Sequence, residues 1–476
     1  MQITSLSFFA FVAVLFFVFL LCDKFFKNES TNIKAYKYIM LCASYLFVLY
    51  ADIRFAGVLF AMSLVTWLCA EKGFTKAGVI FAVLCLGYFK YTNFFASSFA
   101  RLFGTEDFNT LKIIRPLGIS FYAFSAISYL VDVKRGKLAA RNLADVALYL
   151  SFFPKITSGP VQRSGEFFRQ IDTKRTVNRE SFSTGIQIFA FGAFKKLVLA
   201  DNLSVFVGQV YGKPAAFSWV TVLFAVVAYS LQIYFDFSGY SDMAIGIAKI
   251  FDLNLPRNFN LPYISRNVTE LWKRWHISLS SWLQEYLYIS LGGNRKGKLR
   301  TYINLILTMV IGGIWHGASW TYILWGALHG GALAVHKLWV QFTHSNKKAH
   351  SVLSAAVSTA VTFCFVSFSW VFFRCESTPQ AMAVLKQLFG FKAGIFHPYM
   401  WLFVAGGILA ASVVIAKIKS RGLTVAENRQ NTSAVEGFYP LLDLTKFWHL
   451  VIFFVFCGLI LGLCYTGGSP FIYGAY

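Results

Sequence analysis

The sequence predicts an all-α polytopic membrane protein, and its composition, its apolar runs and its charge distribution carry that prediction. Of the 476 residues, 57% are hydrophobic and only 14% are charged, whereas a soluble domain carries roughly 25% charged residues. The net charge of +23 is spread over many short connections, which is typical of loops retained on the cytoplasmic side of a bilayer. We therefore expect a single integral-membrane domain over residues 1–476, with the lipid bilayer as its surroundings and no nucleic-acid partner.

Several segments lack Asp, Glu, Lys and Arg over most of the ~20 residues that cross a hydrocarbon core. The first of them has no basic start and no clear cleavage site, which favours a retained helix over a signal peptide. Four apolar helices are expected between Met1 and Tyr91, and helical segments around Thr184–Leu199 and Pro214–Phe235. The uncharged runs are Met1–Cys22, Phe55–Ala70, Pro214–Phe235, Ser351–Phe373, Ile395–Ala416 and Phe447–Tyr476.

Two stretches do not fit a straight spanning helix. Ser151–Pro160 contains two prolines, a glycine and a lysine, so we expect a broken or re-entrant element. Asn258–Leu291 is predicted to be an amphipathic interfacial helix, which begins with a capping pattern at Asn267-Val-Thr-Glu270. Its proposed aromatic face recurs at intervals of three and four residues: Trp272, Trp275, His276, Leu279, Leu283 and Tyr286.

Two histidines stand in distinctive settings within the stretch Asp236–Gly330. His276 lies among charges, whereas His316 lies in a run without charged residues from Thr301 to Val335. An imidazole in so apolar a run is costly to bury unless it is hydrogen-bonded or used in chemistry, and histidine exchanges protons near neutral pH. The residues alone allow a shared catalytic site or two structural histidines.

The histidines could also have either of two other roles. A metal site is disfavoured, because no HExxH motif or carboxylate set accompanies the pair and zinc needs three or more ligands; we expect no metal. A proton relay through Asp132, Asp236, Asp242 and the histidines stays open on chemistry alone.

Several long sequence motifs, which occur in the same order as in the family, resemble the membrane-bound O-acyltransferase (MBOAT) family. The resemblance is strongest to its bacterial branch, whose members O-acetylate alginate or peptidoglycan. The motifs are densest between about residues 231 and 330. They are Asp236-Phe-Ser-Gly-Tyr-Ser-Asp242, Asn258-Phe-Asn-Leu-Pro-Tyr-Ile-Ser265, Trp272-Lys-Arg-Trp-His276-Ile-Ser-Leu-Ser280, Tyr286-Leu-Tyr-Ile-Ser-Leu-Gly-Gly-Asn-Arg295 and Gly312-Gly-Ile-Trp-His-Gly317. Leu117–Tyr122, Phe153–Pro160 and Pro470–Tyr473 resemble the same branch.

The resemblance implies about eleven transmembrane helices plus re-entrant or interfacial helices, arranged around a central tunnel. It assigns the catalytic role to His316 and a second motif position to His276. The same motifs contain the candidate substrate or tunnel residues: Asp236, Ser238, Tyr240, Trp275, Ser278, Trp315, Asn294 and Arg295.

The resemblance also implies a reaction and its partners. An acetyl group would pass from acetyl-CoA or another acyl thioester, with no bound cofactor, to an exported or cell-envelope polysaccharide such as peptidoglycan or alginate. An extracytoplasmic SGNH-type O-acetyltransferase would act as the partner, and the chain would lie in the bacterial cytoplasmic (inner) membrane. The alternatives are D-alanyl transfer to teichoic acid and a non-enzymatic transporter or flippase of acylated carriers.

Overall fold

The computed structural model describes residues 3–103, 111–343, 351–397 and 442–465, together with residues 467 and 472. The described residues form helices and contain no β-strand, so the all-α class is confirmed. The α-helices are α1 Leu6–Phe25, α2 Glu29–Leu49, α3 Ile53–Glu71, α4 Thr75–Leu86, α5 Thr92–Leu102, α6 Ile119–Lys134, α7 Leu143–Ser151, α8 Phe153–Ile156, α9 Ser164–Ile171, α10 Arg179–Ala193, α11 Asp201–Gly212, α12 Trp219–Ile250, α13 Val268–Trp272, α14 Ile277–Trp282, α15 Lys298–His316, α16 Trp320–Thr343, α17 Val352–Arg374, α18 Thr378–Phe389 and α19 Phe447–Leu463.

Within the described ranges, five helices are long and apolar enough to cross a membrane: Leu6–Phe25, Ile53–Glu71, Thr75–Ala100, Trp219–Ile250 and Leu353–Arg374. Phe447–Leu463 is apolar but shorter. These helices confirm a multi-pass membrane protein, while the count of about eleven spans stays a prediction. Most of the predicted run Ile395–Ala416 lies outside the described residues. The motif Pro470–Tyr473 also lies outside them, except for residue 472.

The chain divides into two compact units that are each assembled from separate parts of the sequence. Unit 1 contains Met1–Phe191, Tyr240–Pro256 and Tyr439–Phe453. Unit 2 contains Gly192–Gly239, Arg257–Phe438 and Phe454–Tyr476. Both histidines of interest therefore belong to unit 2.

The four helices predicted before Tyr91 are present in unit 1 as α1 to α4. The fourth continues through a π-helical turn, Gly87–Tyr91, into α5. A polar network joins α2 to the chain around α7 and α9, because Lys37 contacts Asp145 at 3.1 Å and Asp172 at 2.7 Å.

The predicted break within Ser151–Pro160 is confirmed. α7 ends at Ser151, and the four-residue α8 follows after Phe152. The backbone N–H of Phe153 donates to the Ser44 hydroxyl at 3.2 Å, so a neighbouring helix satisfies a group that the break releases.

The predicted end of a helix at Phe235 is wrong. α12 continues for 32 residues from Trp219 to Ile250, and the whole Asp236–Asp242 word is helical. A charged residue at the middle of the helix is tolerated because Asp236 forms an ion pair with Lys196 at 2.6 Å. The uncharged run ends before Asp236, but the backbone hydrogen bonds of the helix continue past it.

The continuous amphipathic helix predicted over Asn258–Leu291 is also wrong. Two short helices, α13 and α14, are separated by a break that contains His276, and α14 passes into a π-helical segment, Leu283–Tyr288. The predicted cap is confirmed, since the Asn267 side chain accepts a hydrogen bond from the Glu270 N–H at 2.8 Å. Helical periodicity was a poor guide here because tertiary contacts hold the intervening backbone.

Helices α15 and α16 form a closely packed hairpin in unit 2. A β-carbon at Gly326 would overlap the Met309 carbonyl oxygen and lie 2.9 Å from Val310 Cα. A β-carbon at Gly330 would lie 2.7 Å from Ile306 Cα. Small residues four apart allow this backbone approach in membrane helices, and the hairpin determines where His316, the last residue of α15, is placed.

We expect Gly326→Ala to lower the free energy of unfolding by about 1–3 kcal/mol, because the added methyl group overpacks the hairpin. Thermal unfolding of the purified protein in detergent would measure the change. Gly331→Ala is the matched control, since a β-carbon there meets no atom within 4 Å and alanine favours a helix. Equal melting temperatures for the two variants would contradict the packing argument.

Candidate functional site

His276 adopts a backbone conformation that is rare outside glycine. Its φ is 43° and its ψ is 52°, which costs a residue with a β-carbon about 1–2 kcal/mol relative to the right-handed form. The conformation is held by flanking hydrogen bonds, from Ile277 N–H to Asn258 O at 2.9 Å and from Asn260 N–H to Arg274 O at 2.9 Å. Strained residues of this kind are concentrated at functional sites.

The side chain of Asn258 positions the His276 ring. Its Oδ1 atom lies 3.3 Å from His276 Nδ1 and accepts a hydrogen bond from the Ser278 hydroxyl at 2.5 Å. His276 is 1% exposed, and burial lowers its pKa to about 3. The imidazole is therefore neutral at physiological pH, and Asn258 restricts its orientation.

His316 lies beside His276. The two ring centroids are 6.5 Å apart, with an interplanar angle of 53°. The sequence separates these residues by forty positions, but the break before α14 and the end of α15 bring them together. The two histidines thus lie close enough to act on one bound group.

Aromatic side chains surround His316. Its ring centroid lies 5.1 Å from that of Trp325 and 5.2 Å from that of Phe373, both in edge-on geometry. His316 is 4% exposed, and Trp315 is 5% exposed. An environment this apolar strengthens any hydrogen bond made to a reacting group.

The candidate residues Trp315, Trp275 and Ser278 belong to the same region. The Trp315 ring lies 6.3 Å from His276, and Ser278 shares the Asn258 oxygen. Trp275 packs instead against Trp370 at 4.9 Å and Phe259 at 5.0 Å. Trp275 therefore forms part of the aromatic core next to His276.

Asp236 belongs to a buried ion cluster. Lys196 Nζ contacts Asp236 Oδ1 at 2.6 Å and Asp201 Oδ1 at 2.7 Å. The other Asp236 oxygen, Oδ2, accepts a hydrogen bond from the backbone N–H of Ile472 at 2.9 Å. This geometry gives Asp236 a role in joining three parts of unit 2: the chain around Lys196, α12 and the segment at Ile472.

The other candidate residues are Ser238, Tyr240, Asn294 and Arg295. Ser238 is 2% exposed, and Tyr240 hydrogen-bonds Thr157 within unit 1. Asn294 and Arg295 are exposed in a turn in which Gly292 and Gly293 both have positive φ. That turn carries basic side chains directly before α15.

A comparison with known proteins assigns the chain to a family. The family model for MBOAT, the membrane-bound O-acyltransferase family, matches residues 68–378, which is more than half of the chain. This chain belongs to the MBOAT family. As a member of a family of acyltransferases, it is an O-acyltransferase. The family resemblance inferred from the sequence motifs is confirmed.

Individual MBOAT relatives extend the match over most of the chain. A peptidoglycan O-acetyltransferase of Helicobacter pylori is 36% identical over 425 residues, covering 81% of this chain and 79% of the relative. A probable alginate O-acetylase of Pseudomonas putida is 36% identical over 464 residues, covering 91% of this chain and 93% of the relative. A teichoic acid D-alanyltransferase of Streptococcus thermophilus is 28% identical over 290 residues, covering 56% and 69%.

Sequence reasoning missed two residues of this MBOAT chain. Asn258 is the first residue of one of the motifs that resemble the family, but its position in the sequence did not indicate that it contacts His276. Lys196 was not among the candidate residues, yet its side chain is buried between two aspartates. The signal for Lys196 was a lysine inside a helical segment together with an aspartate in the next one.

Proposed function

We propose that this acyltransferase moves an acetyl group from a cytoplasmic thioester to an exported or cell-envelope polysaccharide, and that His316 is the catalytic base. The observation that carries the proposal is the adjacent pair of buried imidazoles, with ring centroids 6.5 Å apart, in a member of the MBOAT family. The names of the peptidoglycan and alginate relatives support acetyl as the acyl group.

His316 accepts the proton of an acceptor hydroxyl as its oxygen attacks the thioester carbonyl. The new C–O bond forms, the C–S bond breaks, and the proton passes to the departing thiolate. Burial keeps His276 neutral, and its single N–H, at Nδ1, donates to Asn258 Oδ1. Its Nε2 atom is therefore a hydrogen-bond acceptor, which positions a bound group beside His316. Because both groups are pre-positioned, little reorganisation accompanies the reaction.

The donor is acetyl-CoA or another acyl thioester, used as a substrate rather than held as a cofactor. Its phosphates suit the exposed basic turn that contains Arg295, since phosphate oxygens pair well with guanidinium groups. The acceptor approaches from the opposite side of the bacterial cytoplasmic membrane through a tunnel, and an extracytoplasmic SGNH-type partner completes transfer to the polymer.

D-alanyl transfer is the second candidate reaction, because a relative at 28% identity bears that name. The relatives named for O-acetylation match at higher identity and over more of the chain, so acetyl transfer is favoured. Membership of an acyltransferase family replaces the non-enzymatic transporter hypothesis.

The purified protein, reconstituted in liposomes, is expected to consume acetyl-CoA when an acceptor is present. Radiolabelled acetyl-CoA and a D-alanyl-carrier thioester would be supplied in parallel, with peptidoglycan fragments or oligouronate and with an SGNH-type partner. Thiol release and labelled product would be measured. Consumption of the D-alanyl thioester alone would overturn the acetyl assignment, and consumption of neither would overturn the proposed reaction.

A further inference from the structure

Unit 1 contains a narrow cavity. The cavity has room for about one water molecule. Its walls come from α6, from the end of α7 and from the segment that follows, and are lined by Phe121, Tyr122, Ser125, Leu150, Lys155, Ile156, Pro160 and Val161.

Two polar groups on these walls have unusual surroundings. Lys155 is 4% exposed and Tyr122 is 1% exposed. Within the part of the chain that the structure describes, neither Lys155 Nζ nor the Tyr122 hydroxyl has a hydrogen-bond partner. Buried polar groups are nearly always hydrogen-bonded, and a buried charge is costly unless it is paired.

The aromatic surroundings of Lys155 favour its ammonium form. Nζ lies 3.9 Å from the ring centroid of Tyr149 and 4.7 Å from that of Phe167, and such contacts stabilise a cation. Burial opposes this effect by lowering the pKa of Lys155 well below its usual value. Two aromatic faces do not replace a counter-ion, so full stabilisation of the ammonium group requires an anion.

The backbone keeps Lys155 in this position. A β-carbon at Gly159 would lie 2.5 Å from Lys155 Cα, and one at Gly118 would overlap the Ile156 carbonyl oxygen. Gly118, with φ +73°, therefore packs directly on the segment that carries the lysine. Close packing at Gly118 and Gly159 restricts movement of the backbone that carries the lysine.

We propose that Lys155 and Tyr122 form a binding site for a small inorganic anion, with chloride as the occupant. Both groups offer only hydrogen atoms to such an ion: the ammonium N–H groups and the phenolic O–H. The ion neutralises the lysine and occupies the cavity between them. This site stands whether or not the proposed acetyl transfer is correct.

Chloride is expected to stabilise the full-length protein in detergent against thermal unfolding. Replacing potassium gluconate with potassium chloride at the same ionic strength should raise the melting temperature by about 2–4 °C. Lys155→Met should abolish this difference, and Tyr122→Phe should reduce it. Lys90→Met is the matched control, because Lys90 is also buried but donates to the Ser120 hydroxyl at 3.3 Å, and it should retain the difference.

Crystals of the wild-type protein grown in bromide give a direct second measurement. An anomalous peak between Lys155 and Tyr122 is expected. The same chloride effect in Lys155→Met, no chloride effect in the wild type, or bromide crystals without that peak would each overturn the site. If Lys155→Met does not fold, Tyr122→Phe and the bromide crystals still decide the question.

Discussion

Replacing His316 with alanine is expected to lower acyl transfer by about 10²–10⁴-fold, which is the usual contribution of a general base. The ring of His316 lies 6.5 Å from that of His276, and the alanine variant lacks the nitrogen that accepts the hydroxyl proton. The rate of acetyl release from acetyl-CoA in reconstituted liposomes would measure the loss. Membrane expression and melting temperature would be checked in parallel.

His336→Ala is the matched control for that experiment. His336 is a half-buried histidine on α16 that pairs with the Thr269 hydroxyl at 2.9 Å, and it has no place in the proposed reaction. We expect its variant to retain transfer. His276→Ala should lose less activity than His316→Ala, because His276 positions a bound group without carrying the proton. Full transfer by the His316→Ala protein would contradict the catalytic assignment.

Replacing Lys196 with methionine is expected to cost about 3–5 kcal/mol of stability, the typical result of removing one member of a buried ion pair. The substitution removes the cation that contacts both Asp201 and Asp236, whose side chains are 4% and 2% exposed. A large fall in melting temperature in detergent would report the effect.

The adjacent Lys195 provides a control of the same residue type. Lys195 is half-buried, and we expect Lys195→Met to change the melting temperature far less. Adding Asp236→Asn to Lys196→Met should restore part of the stability, because one uncompensated carboxylate is removed. A Lys196→Met protein that melts with the wild type would show that the cluster adds no stability.

The helices α1 to α4 of unit 1 were predictable because each is apolar along most of its length and is separated from the next by a polar turn. α1 to α4 follow the predicted order, and the break after α7 was expected from Pro154 and Gly159. The errors came where polar side chains are satisfied by distant partners. Asp236 indicated a helix end from composition, but its ion pair with Lys196 allows α12 to continue.

The candidate site was only partly predictable for the same reason. His276 and His316 were recognisable because they lie in motifs that resemble the family, and the structure brings their rings together. Asn258 was not recognisable as the partner of His276, because that contact depends on a left-handed backbone between two short helices. Helical periodicity predicts faces within one element, but it carries no information about a break held by other segments.

The sequence by itself determined that this chain is an all-α membrane acyltransferase, since apolar length, sparse charge and long motif words are properties of the linear chain. Only the tertiary structure decided which polar groups meet. It placed Asn258 against His276, joined Lys196 to Asp236 and Asp201, and buried Lys155 beside Tyr122. The physical reason is that pairing energies inside a low-dielectric interior depend on distances of a few ångströms between segments far apart in the chain.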